Sequence, residues 1–358
     1  MDLNRKKLLE NFSTKRILIP VFIGLVVIGY MFYRNNDLTD LQNLKNAKPF
    51  WLVMTILVLV VRDAGYIYRI RHITEKVLSW RKSLDVIMLW EFASCVLPSV
   101  AGGSTVAAFI INKEGIPLGK SLAYVMVTAM LDNLFFLLAV PIVLFATQSD
   151  IFPDVEALPD SFKAGLEIAF IISYLLIAFY ALLMWYALFR NPKAVKRLFL
   201  RVTGVGFLKK WRPAAYMHGT ELVWASRQLK GHSLSYWVRA CLSTIFVWTA
   251  RYYVINCLIA AFTDIGFQDH MLIFSRNLIY KVVLLVAVTP GGAGFAEIAF
   301  PTFFGKWLGS FTTVIVLLYR MVTYYLYLIL GSVFLPRWVA RVFGTHVKPE
   351  LEPELSTK

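Results

Sequence analysis

Charged side chains are scarce in this chain of 358 residues. They make up 16% of the sequence, whereas apolar side chains make up 58% and the mean hydropathy is +0.62. Because soluble domains carry about a quarter charged residues, this composition excludes an ordinary soluble globular protein. We therefore expect a membrane protein.

Cysteine and acidic residues are also few. Cys95, Cys241 and Cys257 each lie within an apolar run, which excludes a disulfide framework and a cysteine zinc site. The 22 acidic residues stand against 37 Lys and Arg, a net charge of +15. In a bilayer protein, cation-rich cytoplasmic loops explain such an excess before nucleic acid does, so we expect no nucleic-acid partner.

No complete nucleotide-binding motif is present. The run 115–121 resembles a P-loop but has three residues between its glycines where four are required. The run 204–206 lacks the third glycine of a dinucleotide site, and the histidines show no ligand spacing. We expect no cofactor, no metal and no catalytic residue, and therefore not an enzyme.

Long apolar runs fill most of the chain. A bilayer-spanning helix needs about 20 such residues, and five runs reach this length: 50–70, 121–147, 165–189, 236–262 and 311–334. A shorter run, 17–33, follows basic residues and no cleavage site follows it, so we interpret it as a signal anchor. The fold class is then an all-α polytopic membrane protein with six full spans.

Two further apolar stretches, 84–112 and 271–305, are interrupted in the middle. The sequence LPSVAGGS breaks the first at 97–104, and TPGGAG breaks the second at 289–294. Proline and paired glycines end helices. Each stretch is either one kinked span or a re-entrant hairpin whose two half-helices enter and leave on the same side.

Loop charge favours two hairpins. With both stretches re-entrant, 26 of the 37 cations fall in cytoplasmic segments and 5 in external ones. Making only the first stretch a span would move the ten cations of 190–235 to the wrong side, although two simultaneous spans would keep the carboxyl-terminal side unchanged. We expect both termini in the cytoplasm.

The spacing of charges around the two breaks indicates an inverted repeat. Arg62 lies 40 residues before Gly102, and Arg251 lies 40 before Gly291. Asp132 follows Gly102 by 30 residues, and position 320 follows Gly291 by 29. Such symmetry is common in secondary transporters, whose sites use broken helices near the membrane midplane. A coincidental alignment is the alternative.

The domain organisation follows from this repeat. We expect a single transmembrane domain, 1–358, with opposed hairpins inside its two repeats. Its parts are a first repeat 50–147, a linking span with a basic cytoplasmic segment 165–235, a second repeat 236–334 and a cytoplasmic tail 335–358.

Ionisable residues inside spans cost about 2.5–3.5 kcal/mol each on insertion scales, so they mark function or pair with one another. The deepest are Asp132, Glu297 and Arg320. We expect Asp132 or Glu297 to neutralise Arg320 when no substrate is bound; a purely structural ion pair is the alternative. Arg62 and Asp63 lie nearer a predicted helix end, where snorkelling explains them as well.

The half-helices after the breaks begin inside the membrane, so their free N–H groups suit an anion such as a phosphate. Glycines there allow close backbone approach; a tight turn alone is the alternative. The candidate substrate-binding residues are Gly102, Gly103, Ser104, Asp132, Arg251, Pro290, Gly291, Gly292, Gly294, Glu297 and Arg320.

These residues resemble a known family. The run 289–297 (TPGGAGFAE), Leu97-Pro98 followed by Gly102-Gly103, Asp132, and Arg320 with Gly331 are similar to the lysylphosphatidylglycerol synthase transmembrane region family. That family includes the flippase half of the multiple peptide resistance factor. The resemblance covers roughly 17–334.

The resemblance implies a lipid translocase that moves a phospholipid or an aminoacylated or otherwise charged lipid across the inner membrane. Only 24 residues follow position 334, too few for a synthase domain, so a lipid-modifying synthase would be supplied separately. A membrane-embedded enzyme acting on a lipid head group and a scaffold for a lipid-modifying partner are the alternatives. The basic run 190–212 could contact anionic lipid or be an ordinary cytoplasmic loop.

Overall fold

The computed structural model describes residues 45, 47–97, 102–147, 160–286 and 294–344, and the regular structure within them is helical. The helices are α1 (Pro49–Ile73), α2 (Trp80–Val96), α3 (Gly102–Lys113), α4 (Leu118–Thr147), α5 (Asp160–Trp185), α6 (Pro192–Val202), α7 (Arg212–Lys230), α8 (Leu234–Phe262), α9 (Phe267–Val283), α10 (Phe295–Leu308), α11 (Thr312–Arg320) and α12 (Leu326–Gly344).

Five helical segments of the described chain are long and apolar enough to cross a membrane. They are Pro49–Ile73, Leu118–Thr147, Ala164–Arg190, Leu234–Phe262 and Thr312–Phe343. The five long spans expected from the sequence are thereby confirmed. The shorter run 17–33 lies outside the described residues.

Helix starts follow local chemistry. The side chains of Ser79, Asn191 and Ser233 accept hydrogen bonds from the first turns of α2, α6 and α8, which satisfies backbone N–H groups that have no partner within the helix. Pro49 and Pro192 stand at the first helical positions, where a missing N–H costs nothing. The sequence therefore sets these boundaries locally.

Both apolar stretches are interrupted where the sequence predicts. Helix α2 ends at Val96 and α3 begins at Gly102. Helix α9 ends at Val283, a short 3₁₀ turn follows at Leu284–Val286, and α10 begins at Phe295. Pro98 and the run 287–293 lie outside the described residues.

The outer ends of each interrupted pair lie together. The ammonium of Lys82, early in α2, donates to the carbonyl of Glu114, just after α3, at 3.1 Å. The indole of Trp307, late in α10, donates to Asp269, early in α9, at 2.9 Å. Each interrupted stretch is thus folded back on itself.

Helices α1 and α8 are antiparallel and pack along their lengths. The N–H of Lys48 donates to the carbonyl of Ala261 at 2.8 Å, and the hydroxyl of Tyr236 donates to the carbonyl of Ile73 at 2.9 Å. The α2–α3 pair follows the end of α1, whereas the α9–α10 pair follows the end of α8. Because α1 and α8 are antiparallel, the two folded pairs begin at opposite ends of the bundle.

The remaining helices pack around this centre. Helix α2 contacts α12, α9 contacts α4, α5 lies against α4, and α7 lies against both α4 and α6. The last span contains a π-helical turn, Met321–Tyr325, directly after Arg320, where the sequence pattern predicts a regular helix. Such π turns are often found at functional sites.

Candidate substrate cavity

A polar cavity of about 190 Å³ lies among α1, α2, α3, α4 and α8. Its walls combine two arginines, two carboxylates, three hydroxyl side chains and three large aromatic rings. The lining residues are Tyr66, Arg69, Ile70, Ile87, Trp90, Glu91, Ser94, Ser104, Thr128, Ala129, Asp132, Trp248 and Arg251.

The cavity reaches the middle of the helix bundle. Asp132 stands near the centre of the 30-residue helix α4, so it lies about 21 Å along the helix from either end. Arg69 stands one turn before the end of α1. The cavity therefore extends from the middle of the spans toward the end of the bundle where α1 finishes.

Arg251 and Glu91 form the first ion pair of the cavity. Two guanidinium nitrogens of Arg251 donate to the two carboxylate oxygens of Glu91, at 2.7 and 3.3 Å. Arg251 also donates to the hydroxyl of Tyr66 at 3.4 Å. A paired fork of this kind fixes the guanidinium plane and presents its remaining N–H groups to the cavity.

Arg69 and Asp132 form the second ion pair. The guanidinium of Arg69 donates to Asp132 and, at 3.3 Å, to the hydroxyl of Thr244. The indole of Trp248 donates to the same carboxylate at 2.7 Å, and its ring lies 5.5 Å from the guanidinium of Arg251. Trp248 thus connects the two pairs.

The four charges differ in accessibility. The side chain of Arg251 is 29% exposed and that of Asp132 is 22% exposed, against 13% for Glu91 and 4% for Arg69. Arg251 and Asp132 are therefore the cation and the anion that a ligand in the cavity can reach. The pairs cancel each other's charge when the cavity is empty of substrate, which lowers the cost of holding four ions within the spans.

Glu297 and Arg320 form a third pair, away from this cavity. Their closest atoms, Oε1 of Glu297 and Nε of Arg320, are 2.7 Å apart, and the Glu297 side chain is fully buried. Neither residue lines the cavity. Of the two partners expected for Arg320, the structure selects Glu297, because Asp132 is held by Arg69 and Trp248.

The sequence predicts that the backbone N–H groups at the start of α10 are free to bind an anion, and the structure differs. Gly294 has φ of +86°, and its N–H donates to Oε2 of Glu297 at 2.8 Å. A carboxylate of the chain itself therefore occupies the helix N-terminus where the sequence suggested a substrate phosphate. The reason is one half of a capping box: the carboxylate of the third helical residue turns back to accept from the cap N–H, whereas Gly294 has no side chain to complete the motif.

Of the candidate residues at the first break, 97–104, one lines the cavity. Ser104 lines the cavity, whereas Gly103 packs against Ser94, where an added Cβ would come within 2.4 Å of the hydroxyl oxygen. Gly103 thus lies in close contact with α2, and Gly102 is the first residue of α3. Pro290, Gly291 and Gly292 lie outside the described residues.

Arg69, Tyr66 and Trp248 line the cavity but are not among the residues that the sequence pattern predicts for the site. The sequence of α1 does contain a pattern that indicates a polar face, because Arg62, Tyr66 and Arg69 recur at helical spacing and lie on one side of the helix. Arg69 lies at the end of the predicted span 50–70, where a cation is typical of a cytoplasmic helix end. Trp248 has no signal of its own, since a tryptophan in an apolar run is typical of any span.

Arg62 is also deeper than snorkelling allows. It is 1% exposed and pairs with Asp63 at 2.6 Å, while the hydroxyl of Tyr327 donates to Asp63 at 2.8 Å. Snorkelling would place the guanidinium in water. The residue instead joins α1 to α12 as a structural pair.

Potential metal ligands do not gather in groups of three or more within the described ranges. The fold and site define a polytopic helical membrane protein with a charged cavity among its spans.

Comparison with known proteins gives its family. The model of the lysylphosphatidylglycerol synthase TM region matches residues 17–331, so the chain belongs to this family, and the resemblance seen in the sequence is confirmed. It is similar to a UPF0104 membrane protein of Archaeoglobus fulgidus, with 25% identity over 330 residues, 88% of this chain and 95% of the relative. No solved structure matches.

Proposed function

We propose that this protein is a lipid translocase that moves a phospholipid or another lipid with a charged head group across the membrane. The observation that carries the proposal is the cavity at mid-span depth, in which Arg251 and Asp132 are both accessible. A lipid head group with a phosphate needs a cation there, and an attached ammonium needs an anion. The acyl chains would remain in the bilayer.

The ion pairs suggest how a head group is accommodated. A phosphate entering the cavity competes with Glu91 for the N–H groups of Arg251, and an ammonium competes with Arg69 and Trp248 for Asp132. Each exchange replaces one ionic contact by another and frees the displaced side chain, Glu91 or Arg69, so a head group binds only where its own contacts outweigh the pair that it breaks. Ser94, Ser104 and Thr128 supply further hydrogen-bonding groups.

The membrane architecture belongs to the same proposal. We interpret α2–α3 and α9–α10 as re-entrant hairpins, supported by the contacts that hold the outer ends of each pair together. An inverted repeat is supported by the opposed starts of the two pairs and by matching helix contacts. In such a repeat α9 corresponds to α2, and α4 corresponds to α11 and α12. The contact of α2 with α12 then corresponds to the contact of α9 with α4.

The location and partners complete the proposal. The cation excess at the ends of α1 and α12 and in α6 and α7 supports a multi-pass inner-membrane protein with cytoplasmic termini. Its partner is a membrane phospholipid, with any lipid-modifying synthase a separate protein. Without a complete P-loop in the sequence, movement would be passive or driven by an ion gradient or the membrane potential.

Reconstitution tests the proposal. Purified protein in liposomes should accelerate exchange of fluorescent lipids between leaflets, followed by chemical quenching of the outer leaflet. Mass spectrometry of the same lipids separates relocation from modification and so distinguishes a translocase from an enzyme. Transport equal to protein-free liposomes across anionic, zwitterionic and aminoacylated lipids would reject it.

A pair of variants tests the role of the cavity. Arg251→Gln should slow transport about tenfold or more, because a hydrogen bond to a charged group contributes about 1.5–3 kcal/mol. The double variant Glu91→Gln with Arg251→Gln removes both charges and leaves no unpaired ion. If Arg251 binds phosphate, the double variant stays slow; if the pair is only structural, the double variant recovers. Arg227→Gln, an exposed cation of α7, is the matched control.

A further inference from the structure

A second cavity lies outside the spans, between the short helices α6 and α7. It is an open groove of about 540 Å³, lined on the α6 side by Lys193, Lys196 and Arg197 and on the α7 side by Thr220 and Val223. Lys196 is held in place, since its ammonium donates to the hydroxyl of Thr220 at 2.8 Å and lies 3.6 Å from the ring centre of Tyr216. None of the three cations forms an ion pair within the described residues.

The groove faces away from the two most exposed apolar residues of α6, although Leu200 also lines it. Lys193, Lys196 and Arg197 follow helical spacing and lie on one side of the helix, whereas Leu198 and Val202 lie on the other. Those two residues are 57% and 51% exposed. If the apolar side rests on the bilayer surface, the cationic groove opens toward water. Its occupant then comes from the aqueous side.

We infer that the groove binds the acidic segment 350–354 of the carboxyl-terminal tail of this same chain. This segment reads Glu-Leu-Glu-Pro-Glu and lies within 345–358, outside the described residues. Its three carboxylates alternate with Leu351 and Pro353, so an extended segment presents them along one side, about 6.6 Å apart. They match the row of cations in charge, and the leucine side chain can pack on the apolar floor that Val223 provides.

The tail begins on the same side of the bundle as the groove. Arg341, near the end of α12, donates to Glu114 at 3.0 Å, and the N–H of Gly119 donates to Glu221 of α7 at 2.8 Å. Thr220, beside Glu221, lines the groove. The five residues from Glu114 to Gly119 span at most about 18 Å, whereas the six residues from Gly344 to Glu350 can extend about 20 Å and the ten to Glu354 about 33 Å. The tether therefore reaches the groove at a high effective concentration.

Lysine reactivity in the full-length protein tests this inference. Purified wild-type protein and the variant E350Q/E352Q/E354Q are acetylated with limiting reagent, and each lysine is followed by mass spectrometry. Lys193 should react about fivefold faster in the variant, the factor expected from losing a few surface ion pairs. Lys230, exposed at the far end of α7, is the internal control and should not change. Equal reactivity of Lys193 in both proteins would overturn the inference.

Disulfide trapping gives an independent measurement. Two cysteine pairs are compared in a background without the three native cysteines. Val223→Cys in the groove should cross-link to Leu351→Cys faster than Lys230→Cys at the far end of α7 does. Reversing Lys193 and Arg197 to Glu should slow the reaction, and reversing Glu350 and Glu352 to Lys in the same protein should restore it. Equal rates at the two α7 positions would overturn the inference. The inference would also be overturned if the cross-link formed in phosphatidylcholine nanodiscs but not in phosphatidylglycerol nanodiscs, because anionic lipid head groups would then occupy the groove. If the cysteine-free background does not fold, lysine reactivity decides alone.

Discussion

At the scale of single residues, burial separates the ion pairs by role. Arg251 and Glu91 face a cavity, whereas the Glu297 carboxylate is fully buried and receives both Arg320 and the N–H of Gly294. A carboxylate enclosed in this way has no route to a ligand while the pair is intact. Arg320 and Glu297 therefore stabilise the second break, whereas Arg251 and Asp132 are the charged groups that the proposed substrate would contact.

Replacing Arg320 tests this distinction. Arg320→Ala should destabilise the protein by about 3–5 kcal/mol, because it leaves the buried charge of Glu297 without its partner. Thermal unfolding in detergent and the yield of monodisperse protein measure the loss. The double variant Glu297→Gln with Arg320→Gln, which buries no unpaired charge, should recover much of the stability. An unchanged melting temperature for Arg320→Ala would contradict the assignment.

At the scale of helices, a polar cluster connects the end of α12 to the α2–α3 pair. Glu114, in the turn between α3 and α4, accepts hydrogen bonds from the indole of Trp338 at 2.8 Å and from Arg341 at 3.0 Å. Arg341 also pairs with Asp85 of α2 at 2.8 Å. Burial alone would raise the pKa of Glu114, but the hydrogen bonds from Arg341 and Trp338 outweigh it and hold this pKa below its usual range.

This pKa shift has a definite sign for stability. Because the pKa of Glu114 is lower in the folded protein, its contribution is complete above the ordinary pKa of glutamate and is lost as the pH falls through the folded value. Wild-type protein should therefore lose this part of its stability only in acid, below about pH 4.3. In Glu114→Gln the acid-dependent loss should shrink. An identical pH dependence of melting in both proteins would contradict the role of Glu114.

The same substitution has an effect at neutral pH. Glu114→Gln keeps an acceptor for Trp338 but loses the ionic contact with Arg341, which should cost about 1.5–3 kcal/mol. Thermal unfolding measures the cost, and faster hydrogen exchange at the end of α12 locates it. Asp264→Asn is the matched control, since the side chain of Asp264 is 99% exposed and its pair with Lys48 contributes little. An equal effect of the two substitutions would count against the cluster.

At the scale of the whole molecule, the folded-back pairs decide the topology. If α2–α3 is re-entrant, the loops on either side of it lie on one face of the membrane. Single cysteines at Val77 and Pro117 should then react with an impermeant reagent from the same side, and a cysteine at Asp264 from the opposite side. All three positions are exposed. Labelling of positions 77 and 117 from opposite sides would show that α2–α3 crosses the membrane.

Local chemistry explains why much of the fold was predictable. The five long spans follow from apolar run length alone, because an apolar run of that length satisfies its backbone groups across a bilayer by forming a helix. The end of α2 and the starts of α3 and α10 follow from proline and glycine, whereas α9 ends at Val283, ahead of the Pro-Gly run at 290–292. Asp132, Arg251 and Ser104 were identified because polar side chains stand out against an apolar run.

The partners of these residues were not predictable in the same way. Each ionic contact of the cavity joins helices far apart in the chain, and nothing near Asp132 in the sequence indicates Arg69 or Trp248 as its neighbours. The capping of α10 by Glu297 is local, yet its consequence, a helix N-terminus already occupied by a carboxylate, appears only with the backbone geometry.

The sequence by itself determined that the chain is a polytopic helical membrane protein with two interrupted stretches and several intramembrane charges. The physical reason is that the bilayer enforces run length and penalises lone ions wherever they occur. Only the tertiary structure decided which charges pair, which of them face a cavity and which are enclosed. Pairing depends on how helices distant in sequence approach one another, and that approach is set by packing summed over whole helix faces.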